Sequence, residues 1–192
     1  MADEYLTRTP SSSGNRSKFT YSCWIKRNKL SDWMRLFSIM DGSTDTIIQL
    51  TDGDKLRFRE EDTSPAVDYI ASRPLRDVGS WMHVLVAIDM TAILAEHRIR
   101  MYINGDSFIE HGLDTESMPG DRDLELQVNE YNREHRFFAR NSDSEYFFGE
   151  AFDLFWVDGQ ALTPDVFGFY KDGDGYISVG SSTSTDFKPG QW

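Results

Sequence analysis

Hydrophobic positions along the chain alternate with polar ones in short runs, and turn-forming residues separate these runs. In residues 55–59, Leu56 and Phe58 alternate with three basic residues, so one face of the segment is expected to be buried and the other solvated. This segment and residues 46–50 flank Asp52-Gly53, a step that favours a tight hairpin turn. Comparable runs predict strands over residues 19–27, 35–40, 46–50, 55–59, 81–89, 98–103, 107–110, 124–128, 136–140 and 145–157.

Helical signals are confined to two short stretches. Residues 91–97 carry good helix formers, and residues 163–170 begin with Thr163 as a candidate N-cap. We expect Gly149 to mark a bulge in the last long strand, and the polar residues 112–123 to form a loop. About nine to twelve short strands with one or two helical turns predict an all-β fold, either a sandwich, a barrel or a jelly roll.

The length of the chain fits a single domain. It has 192 residues, and domains usually take about 100–200. We expect residues 1–177 to form the β-sandwich and residues 178–192 to form a polar tail that packs on the domain or on a neighbour. Trp192, at the end of this tail, is a candidate partner contact, because one buried Trp can anchor an interface.

Acidic residues outnumber basic ones, which narrows the classes of partner. The chain carries 32 Asp and Glu against 20 Lys and Arg, a formal net charge of −12. Nucleic-acid binding needs clustered Lys and Arg, so we expect no nucleic-acid partner, and anionic membrane surfaces are disfavoured as well. Residues 1–10 lack the form of a signal peptide, and no apolar run is long enough to span a membrane. These features predict a protein made in a cytoplasm, with no membrane insertion.

Residues that bind metals or act as nucleophiles are sparse. Cys23 is the only cysteine, which excludes an internal disulfide and Cys-rich metal sites, and its position within a strand predicts a buried thiol. Residues 171–178 resemble half of an EF-hand loop that lacks its first and last ligands, and we interpret them as a tight acidic turn. The histidines lack the spacing of metal ligands, so no cofactor is predicted. They are His83, His97, His111 and His135.

Three segments, residues 22–27, 79–105 and 149–164, carry a resemblance to a known family when taken in order. The first contains Cys-Trp-Ile-Lys-Arg, the second joins Trp-Met-His-Val to Tyr-Ile-Asn-Gly, and the third ends in Asp-Gly-Gln-Ala-Leu-Thr-Pro. Together they resemble the concanavalin A-like lectin/glucanase jelly roll of the LamG type. The resemblance implies a concanavalin A-like β-sandwich with three tryptophans at core positions. These are Trp24, Trp81 and Trp156.

The motifs at the two ends of this match are more specific, because they resemble a narrower group of proteins. Residues 5–10 with 14–16, and residues 158–164, resemble the lectin-like modules in structural proteins of tailed bacteriophages. That resemblance implies a virion location, other virion proteins as partners and a homo-oligomer. Two functions stay open: a tail or fibre component that adsorbs to a host-surface glycan, and a capsid or tail decoration subunit whose contacts are between proteins.

A catalytic pair of carboxylates is not evident from the spacing. Glycosidases need an acid and a second carboxylate on one face, but Glu150 and Asp153 lie three positions apart and are expected on opposite faces of a strand. The adjacent acidic residues 60–62 fit a solvated loop. We therefore expect no catalytic residues and no enzymatic activity, and a polysaccharide hydrolase is the least favoured function.

Glycan binding needs exposed aromatic rings beside polar groups, because a sugar has an apolar face and a rim of hydroxyls. Trp33 and Tyr131 stand in polar runs and are the candidate glycan-binding residues, with packing against a neighbouring loop or subunit as the alternative. The family resemblance also implies calcium at a loop rim, and four loop carboxylates are equal candidates. They are Asp41, Asp45, Asp52 and Asp54.

Overall fold

The structure is a computed structural model of the chain, and most of its residues are described. The described ranges are 4–41, 44–61, 67–107, 112–117, 123–140, 144–171 and 175–178.

Seven antiparallel strands form the larger sheet, and their inward side chains follow the period of two seen in the sequence. The hairpin that joins Thr44–Leu50 to Lys55–Glu60 turns through Thr51–Asp54, as predicted, with Asp54 N–H donating to Thr51 O at 2.9 Å. In spatial order the strands are β1 (Leu6–Arg8), β11 (His135–Phe137), β3 (Met34–Asp41), β4 (Thr44–Leu50), β5 (Lys55–Glu60), β6 (Val67–Pro74) and β10 (Leu113–Ser117).

Five antiparallel strands form the second sheet, and a separate two-stranded hairpin follows it. Residues of β2 are buried on both of its faces, which fits its mainly apolar and β-branched sequence. In spatial order the sheet is β12 (Gly149–Asp158), β2 (Lys18–Arg27), β7 (Trp81–Asp89), β8 (Ile99–Ile103) and β9 (Asp106–Ser107), and the hairpin is β13 (Gly168–Lys171) with β14 (Gly175–Ser178).

The core fills the space between the two sheets and is built around stacked aromatic rings. Trp156 of β12 lies between Phe19 and Phe37, with ring centroids 4.7 and 4.3 Å away. Phe58 extends the cluster from the larger sheet. The predicted core position of Trp156 and the predicted all-β sandwich are both confirmed.

The bulge in β12 lies elsewhere than predicted. The register of β12 on β2 shifts between Phe152 and Phe155, and Asp153 takes a left-handed φ of 49° there. Gly149 instead marks a close approach, because a Cβ at that position would collide with the carbonyl oxygen of Lys26. The glycine prediction was therefore wrong in its cause, although the strand does contain a bulge.

Residues 124–128 were predicted as a strand and do not form one. Their backbone donors go to separate neighbours: Leu126 N–H donates to Arg16 O at 3.0 Å and Gln127 N–H to the Glu60 carboxylate at 3.1 Å. Leu126 and Val128 are nevertheless fully buried. Gln127 between them is fully buried as well, so the alternating sequence belongs to an irregular segment that covers the core and pairs with no strand among the described residues.

Five strands were absent from the sequence prediction, three in the larger sheet and the two of the separate hairpin, β13 and β14. The edge strand β1 pairs with β11, and β6 alternates Val67, Tyr69 and Ala71 into the core. Part of the predicted loop 112–123 forms β10 on the edge of β6, so that prediction was wrong over Leu113–Ser117.

The helical stretches shrink to single 3₁₀ turns at Ala95–His97 and Pro164–Val166, and residues 168–171 are a strand. Within the ranges described, no helix has the length and apolar character needed to cross a membrane. Residues 179–192, with Trp192, lie outside the described residues. The packing of the tail and the partner role of Trp192 therefore stay predictions.

Candidate functional site

The outer face of the seven-stranded sheet is polar where three strands lie side by side. Ile48 and Phe58 point into the core, so their alternating neighbours point outward. Arg35 of β3 stands opposite Gln49 of β4, which stands opposite Arg57 of β5. One row further along, Ile47 faces Arg59.

These outward side chains form the floor of a groove of about 380 Å³, hereafter the polar groove. A loop before β3 and the segment between β11 and β12 supply its walls. The lining residues are Trp33, Arg35, Asp45, Ile47, Gln49, Arg57, Arg59, Glu61, Arg140 and Glu145.

Four charged side chains form a closed ion-pair ring at one end of the groove. Arg35 Nη2 lies 3.4 Å from Asp45 Oδ2, and Arg140 Nη2 lies 3.3 Å from the same oxygen. On the other side, Glu145 lies 2.6 Å from Arg35 Nε through Oε2 and 3.3 Å from Arg140 Nη1 through Oε1. The ring holds Arg35 and Asp45 rigidly although both are more than nine-tenths buried.

Burial shifts the ionisation of both inner members of the ring. It lowers the pKa of the Arg35 guanidinium, and the carboxylates of Glu145 and Asp45 oppose this effect. Burial also raises the pKa of the Asp45 carboxyl, against the attraction of Arg35 and Arg140. The ring therefore contains charges that have lost water and that depend on one another.

Five buried atoms of groove-lining side chains have neither a hydrogen-bond partner nor an ion-pair partner among the described residues. They are Arg35 Nη1, Arg59 Nε, Arg140 Nε, Asp45 Oδ1 and Gln49 Oε1. Gln49 is only 1% exposed. A buried polar atom without a partner costs about 1–3 kcal/mol, so a cluster of three such donors and two such acceptors is typical of a ligand-binding site.

Trp33 lies at the edge of this groove, on the loop that precedes β3, and is 38% exposed. A buried ion pair fixes that loop: Arg27 Nη2 lies 2.8 Å from Asp54 Oδ1, which also accepts the Ser31 N–H at 2.9 Å. Although burial opposes it, the Ser31 and Arg27 donors hold the pKa of Asp54 below its ordinary value. The structure thus places Trp33, one of the two candidate glycan-binding residues, at the groove.

Tyr131, the second predicted glycan residue, is 62% exposed but is not among the groove-lining residues. It belongs to a turn whose backbone N–H donates to Ser13 Oγ at 3.0 Å. The structure therefore separates the two candidates, and a sugar contact at either one stays a prediction.

The outer face of the five-stranded sheet carries an apolar cluster that the chain itself covers. Val84 and Val86 of β7 enter the main core, whereas Leu85 and Ala87 join Phe167 in a second cluster on the opposite face. We call this second cluster, with the segment of residues 160–167 that covers it, the capped face. Thr20 fixes that segment, because its Oγ1 donates to Gln160 O and accepts the Leu162 N–H, each at 2.8 Å.

Two of the three tryptophans placed at core positions differ from expectation. Trp24 is buried but lies on the outer side of its sheet, stacked on Phe152 at 5.7 Å. Trp81 is 39% exposed, with the Phe152 ring 4.7 Å away in an edge contact. The core prediction for Trp81 was wrong, because it starts β7 at the margin of the sheet.

The carboxylates considered for calcium are engaged elsewhere or stand alone. Asp45 and Asp54 are paired with arginines, Asp52 is exposed in its turn, and the side chain of Asp41 lies outside the described residues. Among the residues described, no group of three or more His, Cys, Asp or Glu could hold a metal ion.

The acidic residues considered for catalysis are also dispersed. Glu150 pairs with Lys26 at 2.8 Å on the surface. Glu60 is fully buried in β5 and bonds Thr46, so its prediction as part of a solvated loop was wrong. Glu61 pairs with Arg59 on the groove side, and Asp62 lies outside the described residues.

The buried thiol and imidazole are held uncharged. Burial raises the pKa of Cys23 to about 12, which fits the prediction of a buried, unreactive thiol. Burial lowers the pKa of His83 to about 4, and its ring bonds Ser22 Oγ at 2.8 Å. Neither group has the environment of a reactive catalyst at neutral pH.

The groove was not found from the sequence, although one signal for it was present. The basic side of residues 55–59 was identified as solvated, and Arg57 and Arg59 do line the groove. Arg35, Gln49 and Arg140 come from separate segments, and only the strand register brings them together.

Several solved structures share this architecture. Domain 4 of AbnA, a GH43 extracellular arabinanase from Geobacillus stearothermophilus in complex with arabinotriose, gives a TM-score of 0.59 at 18% identity over 84% of this chain and 69% of that chain. The heptameric SAP-like pentraxin from Limulus polyphemus gives 0.55 at 18% identity, over 83% and 71%. The CBM40 of the Ruminococcus gnavus IT-sialidase, bound to α2,3 sialyllactose, gives 0.53 at 12% identity, over 84% and 95%.

At these identities the structural matches establish the fold alone. No curated protein matches the sequence. A family model described as concanavalin A-like lectin/glucanases superfamily, Laminin_G_3, matches residues 2–165, which is most of the chain. The chain belongs to the concanavalin A-like lectin/glucanases superfamily.

Proposed function

We propose that this protein is a non-catalytic carbohydrate-binding domain that holds a glycan in the polar groove. The observation that carries the proposal is the set of buried, unpartnered atoms of Arg35, Asp45 and Gln49 beside the exposed ring of Trp33. A ligand that fills the groove can supply partners for these atoms, which have none within the described part of the chain.

A sugar matches the chemistry of this groove. Each hydroxyl both donates and accepts, so one ring can accept from Arg35 Nη1 and donate to Gln49 Oε1. The apolar face of a pyranose or furanose can pack on the indole of Trp33. The ion-pair ring keeps the donors in place before the sugar arrives, which reduces the entropy lost on binding.

The fold supports the same proposal at a coarser level. The structural neighbours include a sialidase carbohydrate-binding module with sialyllactose and an arabinanase domain with arabinotriose. These sugars belong to those proteins. For this chain they support only the choice of a glycan as ligand class and of binding without catalysis.

We further propose, from the bacteriophage-like sequence motifs, that the domain is displayed on a virion tail or fibre and adsorbs to a host-surface glycan. In the alternative, the chain is a decoration subunit whose contacts are with virion proteins. The exposed pair Trp81 and Phe152, which lies away from the groove, favours that second candidate. A reconstruction of the particle distinguishes the two: an outward-facing groove at a tail tip supports adsorption, and a lattice position with Trp81 buried against a neighbour supports decoration.

The groove itself is tested by glycan binding to the full chain and to two matched variants. A glycan array followed by calorimetry on the best oligosaccharide is expected to give binding that Trp33→Ala weakens about tenfold or more. Tyr131→Ala removes a more exposed ring outside the groove and is expected to leave affinity unchanged. Equal losses in both variants, or no glycan bound by the folded wild type, contradict the proposal, as does release of reducing sugar.

A further inference from the structure

We propose that the polar groove selects uncharged sugar residues and disfavours those that carry a carboxylate. This inference rests on the proposed glycan-binding function and names the ligand class. It is carried by the pairing of every groove arginine with a carboxylate, together with the buried unpartnered acceptors of the groove floor.

The groove contains several arginines, but none of their charges is left over for an acidic ligand. Inside the ion-pair ring, two guanidinium groups balance two carboxylates. Arg57 binds Asp68 with two hydrogen bonds, of 2.8 and 2.7 Å, and Arg59 pairs with Glu61. The cluster is therefore close to electrically neutral, although its composition alone suggests an anion site.

An incoming carboxylate meets unfavourable partners at the groove floor. Two of the five unpartnered atoms, Asp45 Oδ1 and Gln49 Oε1, are acceptors, and a carboxylate can donate to neither. The three unpartnered donors belong to arginines whose charge is already paired with a carboxylate. To pair with Arg35 it must compete with Asp45 and Glu145, which already contact that guanidinium. The net charge of −12 on the whole chain adds a longer-range repulsion.

A hydroxyl meets none of these obstacles. It can accept from Arg35 Nη1 and donate to Asp45 Oδ1 or Gln49 Oε1 without separating any ion pair. Buried groups that hydrogen-bond a hydroxyl also discriminate against ligands that cannot supply one. The groove thus recognises the hydroxyl groups of a neutral sugar. Its arginines donate hydrogen bonds to these hydroxyls while their charges stay paired with carboxylates.

The test compares each neutral glycan with a counterpart that carries a carboxylate. The glycan array should contain neutral oligosaccharides, each beside a version in which one sugar residue is replaced by the corresponding uronic acid, and beside a version that carries an added sialic acid. We expect binders among the neutral members, with the acidic counterparts at least about tenfold weaker. Acidic members that bind equally or more tightly overturn this inference while leaving the glycan-binding function standing, and an array without any binder overturns both.

Salt dependence and one isosteric substitution give independent readouts. Affinity for the best ligand is expected to stay constant between about 50 mM and about 500 mM NaCl, because an uncharged ligand pairs with no screened charge. Gln49→Met is expected to weaken binding about tenfold by removing an acceptor. Gln127→Met is the control. It changes a buried glutamine in residues 124–128, outside the groove, and should leave the affinity for the glycan unchanged. A steep loss of affinity with salt, or no effect of Gln49→Met, contradicts the inference.

Discussion

The outer faces of the two sheets share a strand geometry and differ in what covers them. On the capped face, Leu85 and Ala87 are fully buried because residues 160–167 fold back over them. In the polar groove, Gln49 and Arg35 are buried almost as completely, yet each retains an atom that has no partner within the described ranges. One face is covered by the chain itself, and the other keeps polar atoms that are unpartnered among the described residues.

The difference teaches how one strand pattern can serve structure or recognition. Residues 84–88 of β7 are apolar on both sides, because both sides are buried against the chain. β5 keeps its apolar residues on one side and its arginines on the other. A sheet face with buried but unsatisfied polar groups carries a stability cost that a self-contained fold would not retain.

The largest predicted effect comes from the joint between the two sheets. Arg27→Met removes the buried partner of Asp54 and leaves that carboxylate with only the exposed Arg76, 3.6 Å away, as a counter-ion. Asp54 also accepts the Ser31 N–H, so the loop that carries Trp33 is affected. We expect a loss of about 3–5 kcal/mol in the free energy of unfolding, measured by urea denaturation. Lys26→Met, which breaks the surface pair with Glu150, is the control and should cost less than about 1 kcal/mol. Equal losses would show that the buried pair has no special role.

The next effect tests the capped face directly. Phe167→Ala removes the ring that contacts His83 and Phe155, and should lower the free energy of unfolding by about 3–4 kcal/mol. Thermal unfolding of Phe155→Ala, whose side chain is 37% exposed, should show a smaller loss. A mild effect of Phe167→Ala would mean that residues 160–167 do not hold that face closed.

A third effect is a pH dependence that belongs to His83, a histidine between the five-stranded sheet and Phe167. Its pKa in the folded protein is about 4, below the value of about 6.5 in an unfolded chain. The unfolded state therefore takes up the proton first as pH falls, and stability present above about pH 6.5 declines towards pH 4, by about 3 kcal/mol in total.

Urea denaturation across that range is the measurement. His83→Gln should flatten the decline without removing it, because burial also lowers the pKa of His135. A profile that His83→Gln does not alter would contradict the assignment.

The smallest effect has the opposite sign and sharpens the comparison most. Gln49→Met replaces an unsatisfied buried amide by an apolar side chain of similar size, so stability should stay equal or rise by about 1 kcal/mol. The melting temperature of the variant without ligand measures it. A gain in stability joined to a loss of glycan affinity indicates a residue kept for binding. A clear loss of stability would mean that Gln49 is structural.

The sequence predicted elements whose signal is local. β7 was predicted with its bounds, and the β4–β5 turn was predicted because Asp52-Gly53 determines its own geometry. Residues 124–128 had the same alternation but lacked a neighbouring strand, and partner availability is a property of the fold. The predicted core position of Trp81 was wrong for a related reason. Trp81 starts β7, and only the packed structure shows that this end of the strand lies at the exposed margin of the sheet.

The groove illustrates the limit more sharply. The exposure of the Trp33 side chain could be predicted, because an aromatic residue within a polar run is unusual by itself. The ion-pair ring could not be predicted, because Arg35, Asp45, Arg140 and Glu145 meet through strand pairing and a distant segment. No window of sequence contains that arrangement.

The buried thiol of Cys23 has a practical consequence for every experiment proposed above. It is the only cysteine in the chain, it is fully buried, and its pKa of about 12 keeps it protonated at the pH of maleimide coupling. A cysteine introduced at an exposed position such as Asp52 would therefore be the single reactive site. The wild-type background accepts one fluorophore, spin label or gold particle at a chosen point without prior removal of native thiols.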